Sequence, residues 1–145
     1  MTREEQNKEQ KEGYALAIRY LNNAKETLKK AGKEGRRFKD TKYVSSASGI
    51  AYRGVLVALD IWLKLKCANL PKSDKHGRKK GVSVDFYRKN LMNRDKKLLD
   101  DYNDVYDSLH LLGYYDCIRS VATIEDGFKL AEEIIERIRP EVQNA

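Results

Sequence analysis

From Tyr43 to about Lys66 only two residues before Lys64 carry charge, Arg53 and Asp60, although 35% of the chain is Asp, Glu, Lys or Arg. At 100° per residue, Val44, Ala47, Ala51, Val55, Ala58, Trp62 and Leu65 fall on one stripe, the pattern of a helix facing a core. Tyr43, Ile50, Gly54, Val57 and Ile61 form a second stripe beside it. Leu56, Leu59 and Leu63 widen the apolar surface round the other flank. Ser46, Gly49, Arg53 and Asp60 remain as a narrow polar strip, expected to face water. A bundle helix ordinarily buries one face. This one is therefore expected at the centre of a bundle or completed by a second copy, with Ile50, Gly54, Val57 and Ile61 as the homodimer interface.

The flanking sequence supplies partner helices. Thr2 followed by Glu5 fits a capping box, so a first helix can begin near Arg3 and run past Gly13. Its apolar stripe is Tyr14, Ala17, Ile18, Leu21, Ala24, Lys25 and Leu28, with Gly32 as a stop. A basic connector, 33–42, leads to the second helix, capped by Asp40 or Thr41. Pro71, Ser73, Asp74, Gly77 and Gly81 punctuate 67–82, which reads as a basic, mobile loop. Ser83 can cap a third helix that runs from Val84 through Leu109 to Gly113. Asp116 can cap a fourth, with the stripe Ile118, Val121, Ile124, Phe128, Ala131, Ile135 and Ile138, closed by Pro140. Nothing reads as alternating strands. The expected fold is all-α: an antiparallel up-and-down four-helix bundle, extended by an extra N-terminal helical turn, in one domain over 1–145.

Several classes fall away. Two free thiols in a reducing cytosol is the plainer reading of Cys67 and Cys117, which have no metal or redox spacing. The polar N-terminus is no signal peptide, and no apolar run approaches the ~18 residues of a membrane span, so no membrane association and a cytoplasmic location are expected. No Gly-rich phosphate motif precedes a helix, so no cofactor is expected. Cys67 with His76, or His110 with Cys117, would give a metal only two ligands.

The net charge of +7 is unevenly spread. Lys25–Lys42 holds eight basic and three acidic residues, Lys64–Lys80 seven and one, and Leu98–Ala145 four and eleven. In an antiparallel bundle the two basic clusters flank a helix of about 24 residues and sit about 36 Å apart, at 1.5 Å per residue. Lys75, Arg78, Lys79 and Lys80 in the second cluster are the best candidates for an anionic partner such as nucleic acid, acting by charge and not by base readout.

Two stretches carry a family likeness. One is AIRYLNNAKETLKKAG, a polar connector, and SSASGIAYRGVLVALDIWLKL, with small residues and Tyr52 in mid-helix. The other is LGYYDCIRSVATIEDGFKLAEEIIERI, entered through Tyr115-Asp116. In these the chain resembles the HEPN superfamily, in the form of a bacterial member. The resemblance implies a helical bundle, frequent homodimers, and either RNA cleavage or partnership with a nucleotidyltransferase. Catalytic members carry an Arg followed after four to six residues by a His. Here Arg119 is the only suitable Arg on the last helix, and Ile124, Glu125 and Asp126 stand where the His would fall. Without an imidazole there, no side chain titrating near neutrality can move the 2′-hydroxyl proton.

No catalytic residue is therefore assigned. The candidate binding residues are Arg53 and Arg119 together with Lys75, Arg78, Lys79 and Lys80. Tyr102, Tyr106, Tyr114 and Tyr115 lie among Asp100, Asp101, Asp104, Asp107 and Asp116, which would repel phosphate, so they are expected to pack the core. His110 is expected to be a packing or capping residue. The leading expectation is a non-catalytic dimeric interaction module with a protein or nucleic-acid partner. The alternatives are a diverged RNA-cleaving enzyme using Arg53, Arg119, His110 or a Tyr, and a purely structural assembly protein.

Overall fold

The computed structural model describes residues 2–66, 70 and 83–141. Five α-helices, one π-helical stretch and a two-stranded hairpin make up the described chain. Helix α1, Arg3–Lys29, starts on the expected capping box. Thr2 Oγ1 accepts from the Glu5 amide at 3.1 Å and Glu5 Oε2 accepts from the Thr2 amide at 3.2 Å. Its buried residues are small or slender: Gly13, Ala17, Leu21 and Ala24. A face of that kind lets a second helix approach closely.

The basic connector folds as a hairpin where no strand was expected. Strand β1, Lys33–Glu34, pairs antiparallel with β2, Arg37–Phe38, in the register Lys33↔Phe38 and Glu34↔Arg37. Two-residue strands are too short to show alternation, which is why the pattern gave no warning. Gly35 opens the tight turn with φ +63°, a conformation that costs glycine nothing. Phe38 is the one apolar anchor here and is almost wholly buried.

Helix α2, Thr41–Leu65, is capped by Asp40, whose side chain accepts from the Lys42 amide. It packs on α1, on the π-helical stretch and on α5. Val44, Ala47, Ala51, Val55, Ala58 and Trp62 are buried as the periodicity requires. The second flank meets α1 of the same chain. Gly54 is buried where a Cβ would lie 3.1 Å from the Ala17 carbonyl oxygen and 3.2 Å from Tyr20 Cβ, and Ile61 occupies the space a Cβ on Gly13 would need. The small residues of α1 thus let one helix cover much of the flank assigned to a second copy. By length and hydropathy α2 does qualify as a membrane span, contrary to expectation, but 56% of that window is buried inside the protein. Asp60 corrects the reading of the polar strip: it is buried and accepts from the Tyr87 hydroxyl at 2.8 Å.

The expected third helix is three segments. Helix α3, Val84–Met92, is capped by Ser83 as expected. The chain breaks at Asn93, and Asp95 caps α4, Lys96–Val105, by accepting from the Leu98 amide at 3.0 Å. Arg137 fastens that break by donating to Asp95 Oδ2 at 2.6 Å. From Tyr106 to Tyr115 the backbone widens to π-helical winding, ending where Cys117 adopts φ +51°. The last helix, α5, Val121–Glu136, is capped by Ser120 and not by Asp116, and it ends before Pro140. Ile124, Phe128, Ala131, Ile134 and Ile135 bury its inner face.

Candidate basic notch at the hairpin

The hairpin is fixed to the segment that enters α5. The Phe38 amide donates to the Arg119 carbonyl at 2.8 Å, and the Val121 amide donates to the Arg36 carbonyl at 3.1 Å. Arg37 pairs with Ser120 in an isolated antiparallel bridge. These bonds bring Arg119 to Arg37 and Lys39, some 80 residues away in sequence. Glu34, Arg37, Phe38, Lys39 and Arg119 line a concavity of about 560 Å³. Three cations face one carboxylate there, while Phe38 holds the strand down through the core. Arg36, at the turn, is exposed beside them. Neighbouring Lys33 is engaged with Glu125 at 3.4 Å and so ties β1 to α5.

A second feature is an aromatic cluster that runs from the core to the surface. The Tyr52 and His110 rings stack at 4.7 Å between centroids, and His110 lies nearly parallel to Tyr114 at 6.1 Å. Tyr106 and Tyr115 also contact His110, at 5.1 Å each. The Tyr52 and Tyr102 hydroxyls share a hydrogen bond of 2.9 Å. Burial is the leading cause that pushes the Tyr52, Tyr87 and Tyr102 phenols upward, so they stay neutral and serve as hydrogen-bonding groups. Burial also holds His110 below the usual imidazole value. The neutral ring is the form that burial favours in this stack.

The sequence candidates are thus dispersed. Arg119 joins the notch. Arg53 is exposed on α2, where the strip that should have continued to Asp60 goes under the surface instead. Lys75, Arg78, Lys79 and Lys80 lie outside the described residues, as do Cys67 and His76. Ile50 and Val57 are half-buried, while Gly54 and Ile61 are engaged with α1. Tyr102 packs in the core as expected, but Tyr114 and Tyr115 are 44% and 66% exposed. Among the described residues no three His, Cys, Asp or Glu side chains gather around a possible metal position. Arg37, Lys39 and Glu34 were missed. Their signals were the basic cluster of Lys25–Lys42 and the lone Phe inside the run Lys33–Lys39, which marks a connector with a buried anchor.

Over residues 12–140 the chain matches a family model described as Domain of unknown function (DUF5618). A solved structure of a protein of unknown function from Dyadobacter fermentans is 38% identical, with a TM-score of 0.73, covering 89% of this chain and 94% of that one. No curated protein matches the chain.

Proposed function

The chain belongs to the DUF5618 family, and from that premise we propose that it is a non-catalytic, HEPN-like helical binding module that holds a nucleic acid at the hairpin notch. One observation carries the reading: backbone bonds from β2 to the α5 entry gather Arg37, Lys39 and Arg119 around a single concavity. Guanidinium groups suit phosphate because their planar donors can engage two oxygens at once. The notch has no arrangement for reading base edges, so the reading predicts affinity through the backbone with little sequence preference. On the chemical side, the His110 ring is engaged on its faces by Tyr52 and Tyr114, and no carboxylate or arginine partner is seen against it among the described residues.

Titration of a fluorescent single-stranded RNA against the protein, followed by anisotropy, tests this. The reading expects binding that weakens steeply as salt rises, with the RNA recovered intact. Absence of binding at low salt, or cleavage of the RNA, would remove it.

A homodimer through α2 is a second reading, favoured by the half-burial of Ile50 and Val57 on the flank that α1 only partly covers. Val57→Asp then yields a monomeric mass by light scattering, and an unchanged dimeric mass contradicts it.

A further inference from the structure

Helices α1 and α5 do not close against each other at the hairpin end. Between them runs a groove of about 650 Å³. Its floor is apolar, with Leu28, Phe38 and Phe128 as its large side chains. Phe128 and Phe38 are held by the core, so the floor is preformed. The rim is charged and uneven in sign: Lys25, Lys29, Lys33 and Lys129 against Glu125 and Glu132.

Both rim carboxylates are taken. Lys25 reaches Glu132 and Lys33 reaches Glu125, each at 3.4 Å, and both pairs link one wall of the groove to the other. Lys29 turns back to Glu26 within α1, in an exposed pair of the kind that contributes little. Lys129 has no ion-pair partner among the described residues. Surplus positive charge therefore stands over an apolar trough of the volume that small-molecule sites usually have, roughly 300–1,000 Å³. A polyanion backbone has no use for the apolar floor, and a neutral apolar molecule has none for the lysines.

We propose that this groove binds a small amphipathic anion: an aromatic or aliphatic body on Leu28, Phe38 and Phe128, and one acidic head at Lys29 and Lys129. The site shares Phe38 with the notch but uses different cations, so the two can be separated by mutation. The occupant is a free small molecule, because the trough is concave and bounded by cross-wall ion pairs.

The probe is 8-anilinonaphthalene-1-sulfonate, with decanoate as competitor and N-phenyl-1-naphthylamine as the analogue lacking the acidic head. Expected are saturable binding at one site per chain, displacement by decanoate, and affinity about tenfold weaker for the neutral amine, the scale of one charge-assisted contact. K29E combined with K129E, both at exposed positions, weakens the sulfonate by at least about tenfold and leaves the amine unchanged. Arg37→Ala with Arg119→Ala leaves sulfonate affinity unchanged, which separates this site from the notch. Non-saturating binding, equal affinity for amine and sulfonate, or full affinity in the lysine variant would each overturn the assignment. So would loss of probe binding at high protein concentration together with a doubled light-scattering mass, which would place a second copy in the groove.

Discussion

The Tyr87 hydroxyl donates to the Asp60 carboxyl at 2.8 Å, joining α3 to α2 inside the protein. Both residues are buried. A hydrogen bond between two buried side chains contributes net stability to the fold. Tyr87→Phe is expected to destabilise the fold by about 1–3 kcal/mol. Urea denaturation should show a lower midpoint with an unchanged slope. An unaltered midpoint would mean that the bond contributes nothing net.

His110 sets a pH dependence. Burial lowers its folded-state value below the ordinary 6.5 of an imidazole, so the unfolded chain binds more protons between the two values. Stability then rises with pH across that window and falls as the solution is acidified through 6.5 toward the lowered folded-state value. Asp95 runs the other way in origin. Its carboxyl is held below 3.8, first by the Leu98 amide and then by Arg137, so its contribution is present above that value and is lost only at lower pH. Thermal melting above the range of Asp95, compared between the natural chain and a His110 variant, therefore reads the imidazole's share. His110→Gln should flatten the slope, and a slope retained in that variant would assign it elsewhere.

Cys117 has φ +51°, where a side chain with a Cβ is strained. Cys117→Gly should relieve about 1 kcal/mol and raise the melting temperature by roughly 2–4 °C. A drop in melting temperature would show that the thiol's contacts with the Tyr114 and Tyr115 carbonyls outweigh the strain.

Gly113 faces Ser48 so closely that an added Cβ would lie 2.7 Å from Ser48 Cβ and 3.1 Å from Ile124 Cδ1. Both neighbours are fully buried and cannot swing away. Gly113→Ala should cost about 1–3 kcal/mol through overpacking, despite the better helix propensity of alanine. Pairing it with Ser48→Gly should recover most of the loss, and a failure to recover would place the clash elsewhere.

What was legible in the sequence was the periodicity and the local capping chemistry. The α2 stripe, the Thr2–Glu5 box, the Asp40 cap and the Ser83 cap all depend on residues within a few positions of one another. What was not legible depended on distant partners. The strip position of Asp60 looks solvated until Tyr87 arrives from α3, and the flank holding Gly54 looks uncovered until Ala17 presses on it. The break at Asn93 was within reach, because Asp95 precedes a helical run as a cap should, but the apolar spacing of Leu91 and Leu98 runs straight through it. At the notch, Arg119 was identified alone. Its companions Arg37 and Lys39 join it through an edge bridge between segments far apart in the chain, which no spacing rule reports.

On the proposed function Arg37 and Arg119 meet phosphates together, and salt dependence measures that directly. For single-stranded RNA the slope of log K against log salt is about −0.7 per neutralised phosphate. Arg37→Ala with Arg119→Ala should make the slope shallower by about 1.4, with weaker binding at every salt concentration. An identical slope and affinity in wild type and double variant would show that the notch does not hold the nucleic acid.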